Sequence, residues 1–153
     1  MSIYLDGDHR GKKLCRVLLS RLQEDNYNIS FIDMDDSYPY PCIVANAVKH
    51  IRDEKDKLIL ICGTGIGCSI VANKFNGVFA IPCYDLKTCY NFRHSNNGNA
   101  LCLGAEVTDE EAAYNICKVF LTTSFNEESR KRIDCINTIC RGDYNGNYGE
   151  FNL

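Results

Sequence analysis

A continuous apolar run, Lys57–Ile61 (KLILI), leads directly into the glycine-rich segment CGTGIGCS at positions 62–69. A strand that is apolar on both faces is typical of the centre of a parallel sheet that helices cover on both sides. Three glycines at alternate positions, Gly63, Gly65 and Gly67, allow the backbone to turn tightly and to approach a ligand closely. The segment therefore predicts a central buried strand, a tight turn and a helix that begins at its end.

Apolar runs and helical patterns alternate along the rest of the chain. We predict five strands, in Ser2–Leu5, Ile29–Asp33, Lys57–Ile61, Val78–Ile81 and Ala100–Leu103. We predict six helices, in Gly11–Asp25, after Pro41 as far as Ile51, in Gly67–Lys74, Leu86–His94, Thr108–Thr122 and from Glu127 to Cys140. The fifth helix carries a capping-box pattern, with Thr108 as cap and Glu111 three residues later.

This alternation predicts a parallel sheet with helices on both faces. The fold class is therefore α/β, a doubly wound three-layer α/β/α sandwich with five parallel strands. Ligands in such folds bind beyond the carboxyl ends of the strands. We expect residues 1–141 to form a single domain and residues 142–153, rich in Gly, Asn and Tyr, to form a loosely ordered tail.

Length, charge and hydropathy restrict the partners. The chain has 153 residues and 45% hydrophobic residues, enough for a core without metal or disulfides. The net charge of -3 lacks the excess of positive charge that is typical of nucleic-acid-binding proteins. No window approaches the ~18–20 apolar residues of a membrane span, and the first residues lack the pattern of a secretory signal. We expect a cytoplasmic protein with neither nucleic acid nor membrane as partner.

The chain has 10 cysteines, but no two of them form a C-x-x-C pair. Zinc and redox-dithiol sites need close pairs, so we predict no metal. Most cysteines lie in apolar stretches such as KLCRVLL and ALCLG, which indicates small buried hydrophobes in a reducing compartment. Cys62 is the exception because of its place at a strand end.

A thiol between a strand end and a helix N-terminus has its pKa lowered, so that Cys62 is a candidate base or nucleophile. The N–H groups of the glycine-rich turn are candidate donors to an anion. The spacing is G-x-G-x-G, which is neither a dinucleotide fingerprint nor a P-loop. Asp8 and His9 follow the first strand and should reach the same sheet edge. The polar cluster Arg93–Asn99 precedes the fifth strand, so it needs a long loop or a neighbouring subunit to reach that edge.

Five segments stand out along the chain: GDHRG at 7–11, YP at 38–39, ILICGTGIG at 59–67, SIVANK at 69–74 and LCLG at 101–104. Together they resemble the type B ribose-5-phosphate isomerases, a family that includes the galactose-6-phosphate isomerase subunits. The resemblance extends from about Ile3 to about Ile139. It implies a Rossmann-like sandwich without metal or cofactor, assembled as a homodimer or tetramer with active sites shared at the dimer interface. It also implies interconversion of an aldose phosphate and a ketose phosphate through a cis-enediolate.

The resemblance also implies roles for individual residues. Cys62 matches the general base that moves a proton between C2 and C1, and Thr64 matches a residue that assists at the sugar oxygens. The backbone of the turn matches the anion hole, which stabilises the enediolate. Its residues are Gly63, Gly65, Ile66 and Gly67, followed by Ser69 as a further substrate-binding position. The remaining substrate-binding positions are Asp8, His9, Tyr38, Asn96, Arg130 and Arg132.

Two positions depart from the family pattern. Ser95 stands where the ring-opening histidine belongs, and His94 lies one position early. Ring opening therefore falls to His94, to Ser95 or water, or to the open-chain fraction of the substrate. Glu128 stands where a phosphate-binding arginine is expected, so Arg130, Lys131 or Arg10 is a candidate replacement.

Three functions are compatible with these residues. The first is isomerisation of ribose 5-phosphate and ribulose 5-phosphate, which the survival of Cys62, Thr64, Asp8 and His9 favours. The second is isomerisation of another phosphosugar, such as a 6-phosphohexose. The third is binding of a sugar phosphate without turnover.

Overall fold

Six α-helices and five strands alternate along residues 1–143, which are the part of the chain that the computed structural model describes. The strands are β1 (Ile3–Gly7), β2 (Ile29–Phe31), β3 (Lys57–Cys62), β4 (Ala80–Pro82) and β5 (Ala100–Gly104). The helices are α1 (Lys12–Glu24), α2 (Tyr40–Val48), α3 (Ile66–Ala72), α4 (Leu86–Asn96), α5 (Glu110–Thr122) and α6 (Arg130–Arg141), which follows a 3-10 turn at Glu127–Ser129.

All five strands are parallel and lie in the order β2-β1-β3-β5-β4. All six residues of β3 are buried, as the apolar run predicts for a central strand. The register pairs Gly7 with Ile61 and Cys62 with Gly104, so the ends of β1, β3 and β5 meet at one edge. This arrangement confirms the predicted doubly wound α/β fold.

The core has two halves, one on each side of the sheet. Ile59 and Ile61 of β3 face the half that contains residues of α1, α4 and α5. Leu58, Leu60 and Cys62 face the half that contains residues of α2 and α3. The alternation of side chains along a strand therefore places the thiol of Cys62 on the α2–α3 side.

The capping box predicted for α5 is wrong. Asp109, not Thr108, caps the helix, and its carboxylate accepts a hydrogen bond from the Ala112 N–H at 2.8 Å. The Thr108 N–H instead donates to the Gly104 carbonyl at 3.0 Å and closes the turn after β5. Glu111 forms an ion pair with Arg21 at 2.9 Å.

The predicted tail, residues 142–153, lies outside the described residues except for Gly142 and Asp143. Gly142 ends α6 with a φ of 79°, in the left-handed region that glycine adopts without a steric penalty. No helix within residues 1–143 has the length and apolar character that a membrane crossing requires. Nor do those residues contain a group of His, Cys, Asp or Glu side chains placed to hold a metal ion.

Candidate active site

A cavity of about 330 Å³ lies beyond the carboxyl ends of β1 and β3. Its walls come from the turn after β1, the glycine-rich turn after β3 and the start of α2. The lining residues are Asp8, His9, Arg10, Tyr40, Cys62, Gly63, Thr64 and Gly67. The structure therefore brings the Asp-His pair and the thiol to one place, as the parallel topology predicts.

The turn after β1 is fixed by Asp8, which is 6% exposed. Its carboxylate accepts hydrogen bonds from the N–H groups of Arg10 and Gly11, both at 3.0 Å. Gly11 packs against β3 so closely that a Cβ there would lie 2.2 Å from the Ile61 carbonyl oxygen. This close packing holds His9 and Arg10 at the mouth of the cavity.

The glycine-rich turn depends on the conformation of Gly65. Its φ is 81°, and a Cβ on Gly65 would lie 3.0 Å from the Cys102 carbonyl oxygen of β5. The Gly65 N–H donates to the Cys62 Sγ at 3.1 Å. Ile66 N–H donates to the Thr64 hydroxyl at 3.3 Å, which orients that side chain. Hence the turn holds two of the predicted catalytic side chains, those of Cys62 and Thr64, through backbone donors.

The pKa of the Cys62 thiol is lowered to about 6, which confirms the predicted direction. The largest cause is a hydrogen bond from the Cys68 thiol, and N–H groups of Cys68, Gly65 and Thr64 act in the same sense. Burial acts in the opposite sense, because it disfavours the thiolate. Nothing in the sequence marks Cys68 as functional, because it has the pattern of one more apolar residue on the buried side of a short helix.

Two further tyrosines contribute to the site. The Tyr40 ring packs against Gly67, where a Cβ would lie 2.9 Å from the ring. The Tyr84 hydroxyl donates to the Thr64 carbonyl at 2.7 Å. Tyr38, the predicted tyrosine, is 52% exposed and does not line the cavity. The Tyr-Pro-Tyr-Pro segment at 38–41 is the signal that could have directed attention to Tyr40.

Arg10 is the one arginine or lysine among the described residues that line the cavity. Its guanidinium pairs with the Glu106 carboxylate at 3.3 Å, across the turn that follows β5. Both side chains pack over Gly63, where a Cβ would lie 3.1–3.2 Å from them. Arg10 therefore places a positive charge beside the turn that carries the thiol.

The other predicted residues of the glycine-rich segment, Gly65, Ile66 and Ser69, do not line the cavity. Gly65 and Ile66 form the start of α3, and the Ile66 side chain is 49% exposed. Ser69 is buried, and its hydroxyl donates to the Ile66 carbonyl at 2.8 Å. The hydrogen bond of the Ser69 side chain therefore lies within α3.

The remaining predicted residues lie at the opposite edge of the sheet. His94, Ser95 and Asn96 form the last turn of α4, before β5 begins, and the His94 ring stacks on Tyr90 with centroids 5.1 Å apart. Arg130 pairs with Glu54 and Glu127, and Arg132 donates to the Ser129 hydroxyl at 3.0 Å. Within one copy of the chain these groups do not meet Cys62.

The fold and the cavity define an α/β protein with an activated thiol at a strand end. A family model described as Ribose/Galactose Isomerase matches residues 3–136, so the chain belongs to that family. The match confirms the resemblance to type B ribose-5-phosphate isomerases.

Relatives support this assignment over nearly the full length. D-erythrulose-4-phosphate isomerase 2 of Mycolicibacterium smegmatis is 34% identical over 146 residues, 92% of this chain and 95% of the relative. A probable ribose-5-phosphate isomerase B of Mycoplasma genitalium is 34% identical over 142 residues, 88% of this chain and 93% of the relative. The structure of ribose-5-phosphate isomerase B from Mycoplasma genitalium with bound ribulose-5-phosphate aligns with a TM-score of 0.80 and 28% identity, covering 92% of this chain and 96% of that one.

Proposed function

We propose that the chain is an aldose–ketose isomerase that interconverts ribose 5-phosphate and ribulose 5-phosphate through a cis-enediolate. The observation that carries this proposal is the low-pKa thiol of Cys62, which lines a cavity together with Asp8, His9 and Arg10. A thiolate available near neutral pH is a base matched to removing a proton next to a carbonyl. The membership of the family supports the same reaction.

The residues supply a balanced proton transfer. The Cys62 thiolate takes the proton from C2 of the open-chain aldose, the C1–C2 double bond forms and O1 becomes negative. Gly63 and Gly67 line the cavity, and their N–H groups would stabilise that oxygen. Return of the proton to C1 and transfer of the O2 proton to O1, assisted by the Thr64 hydroxyl, give the ketose.

We place the phosphate of the substrate beside Arg10 and His9, at the mouth of the cavity. The carboxylate of Glu106 orients the Arg10 guanidinium and leaves its remaining donors for the phosphate. This assignment also accounts for Glu128, because a guanidinium from another element replaces the arginine that the family pattern has there.

We propose further that the active sites are completed in a homodimer, or in a tetramer of two such dimers. Three of the candidate groups, Ser95, Asn96 and Arg132, lie away from the Cys62 cavity of their own chain. The exposed Ile136 and Ile139 of α6 give an apolar face that a second copy could cover. The ten free thiols favour a reducing, cytoplasmic setting.

The test is turnover of ribose 5-phosphate by the purified protein, measured beside Cys62→Ala and Cys42→Ala. Cys42 is exposed and outside the cavity, so it controls for the loss of a thiol. We expect turnover in the wild type and in Cys42→Ala, and none in Cys62→Ala. Full activity of Cys62→Ala would disprove the assignment of the base.

A folded wild type that does not turn over ribose 5-phosphate would overturn the proposed substrate. D-erythrulose 4-phosphate and a 6-phosphohexose are then the next substrates to assay, the first because the Mycolicibacterium relative is a D-erythrulose-4-phosphate isomerase. Tight binding of the phosphosugars without turnover of any of them would identify a binding protein instead.

A further inference from the structure

Two buried cations lie side by side at the edge of the sheet opposite the Cys62 cavity. Lys57, the first residue of β3, is 3% exposed, and Arg93, in the last turn of α4, is 5% exposed. Burial and the positive charge of Arg93 lower the pKa of Lys57 to about 8. Two neighbouring positive charges with little water are costly unless a negative group compensates them.

The hydrogen bonds of these cations go to uncharged oxygens, and the carboxylates of Asp53, Glu54 and Asp56 act on Lys57 through their charge alone. Lys57 Nζ donates to the carbonyls of Lys55 and Asp56, at 3.0 and 3.4 Å. Arg93 Nη1 donates to the Asn97 side-chain oxygen at 3.3 Å and to the Gly98 carbonyl. Within residues 1–143 no carboxylate forms an ion pair with either cation.

Among residues 1–143, the buried Nε of Arg93 has no hydrogen-bond partner. Both hydrogen bonds of the guanidinium are donated by Nη1. The Nε–Nη2 edge of an arginine is a planar pair of donors that fits two oxygens of a phosphate or carboxylate. Nε is therefore a buried donor that still lacks an acceptor, and an oxygen of an oxyanion would supply one.

Lys57 and Arg93 both line a cavity of about 380 Å³. Thr122, the last residue of α5, lines it as well, together with Thr123 and Ser124, which follow the helix. The other charged side chains of the lining are Glu54, Lys55, Glu127 and Arg130. Both glutamates pair with Arg130 at 2.8 Å. Together with Lys55 these four side chains carry no net charge, so Lys57 and Arg93 give the lining its net positive charge.

We propose that this cavity binds a small oxyanion, inorganic phosphate or the phosphate group of a monoester, between Arg93 and Lys57. The site differs from the active site of the same chain. Lys57 and Cys62 are the two ends of β3, which at a rise of about 3.3 Å per residue places them about 16 Å apart. The proposal does not depend on the isomerase function.

Calorimetric titration of the whole protein with inorganic phosphate, at constant ionic strength in chloride buffer, tests the site. Arg10→Ala removes the guanidinium that we assign to phosphate in the Cys62 cavity, so phosphate binding that remains in this variant reports on the second site. In that background we expect Lys57→Met to weaken the remaining phosphate binding at least tenfold. Phosphate binding that Arg10→Ala abolishes completely, or that Lys57→Met leaves unchanged, would overturn the proposal.

A measurement on the wild type covers the case in which Lys57→Met does not fold. The Nε–H resonance of Arg93, assigned by its absence in Arg93→Lys, should shift during a phosphate titration at pH 7. The same titration with ribose 5-phosphate, in Cys62→Ala to prevent turnover, distinguishes a sugar phosphate from free phosphate as the source. A resonance that neither ligand moves would contradict the site.

Discussion

At the scale of single residues, the chemistry of Cys62 depends on a neighbour that is itself a cysteine. The Cys68 thiol donates to Cys62 and is the largest cause of the lowered pKa. We expect Cys68→Ala to raise the pKa of Cys62 from about 6 toward the ordinary thiol value. The measurement is the pH dependence of iodoacetamide alkylation at Cys62, resolved by mass spectrometry because other thiols are exposed.

The acid limb of kcat/KM should move in the same direction, because the thiolate is the proposed base. Cys83→Ala is the matched control, since it removes a buried thiol from the other half of the core. An alkylation profile of Cys68→Ala that overlays that of the wild type would show that the N–H donors alone set the pKa.

The lowered pKa of Cys62 also predicts how stability depends on pH. Because its pKa in the folded protein lies below that in the unfolded chain, the thiolate stabilises the protein above about pH 9. This contribution is lost as the pH falls to about 6.

Arg10 is the second residue whose role can be isolated. We expect Arg10→Ala to raise KM for ribose 5-phosphate at least about tenfold, because a hydrogen bond to a charged group contributes about 1.5–3 kcal/mol. The change in kcat should be smaller, since the phosphate is remote from C1 and C2. Steady-state kinetics give both constants.

Glu106→Gln is the control for Arg10, because it keeps the shape of the partner and removes its charge. We expect an unchanged or lower KM in this variant, since the guanidinium is then free for the phosphate. A KM that rises in Glu106→Gln and stays constant in Arg10→Ala would contradict the placement of the phosphate.

At the scale of elements, the turn between β3 and α3 requires glycine at position 65. An alanine there would adopt a positive φ, at a cost of about 1–2 kcal/mol, and would press on the Cys102 carbonyl oxygen 3.0 Å away. We expect Gly65→Ala to lower the free energy of unfolding and to abolish turnover, because the N–H that holds the Cys62 Sγ moves. Urea unfolding and the isomerase assay measure the two effects.

Gly77→Ala separates backbone strain from the local contact. Gly77 also has a positive φ, 77°, but a Cβ there has open space around it. We expect a comparable loss of stability from φ alone and normal turnover. If Gly77→Ala were as inactive as Gly65→Ala, general destabilisation would explain the loss, and the turn would have no special role.

Elements were more predictable from the sequence than their contacts. The run KLILI predicts β3 because a central parallel strand is apolar on both faces, and the glycines predict the turn because only they allow its backbone conformation. The cap of α5 was predicted one residue early, since Thr108 and Asp109 are both good caps and the turn after β5 decides between them. The roles of Cys68 and Tyr40 depend on contacts between side chains, which no periodicity encodes.

At the scale of the whole molecule, the separation of the candidate groups makes a prediction about assembly. Cys62 lies at one edge of the sheet, whereas Arg132 lies on α6, which follows the 3-10 turn beside the other edge. If each active site combines Cys62 of one copy with Arg132 of another, two inactive variants can restore each other. A mixed dimer of Cys62→Ala and Arg132→Ala then has one site with both defects and one site with none.

Random exchange of equal amounts should make half of the dimers mixed and so restore about a quarter of the wild-type activity. The variants are unfolded and refolded together, and activity is compared with that of each variant refolded alone and with the oligomeric state from light scattering. A mixture no more active than its components, in a sample that light scattering shows to be dimeric, would place both residues in the same site of one chain or remove Arg132 from the site. Restored activity would show that the Cys62 of one copy works with the Arg132 of the other. It would then be clear why Arg132 lies near the opposite edge of the sheet from the Cys62 of its own chain.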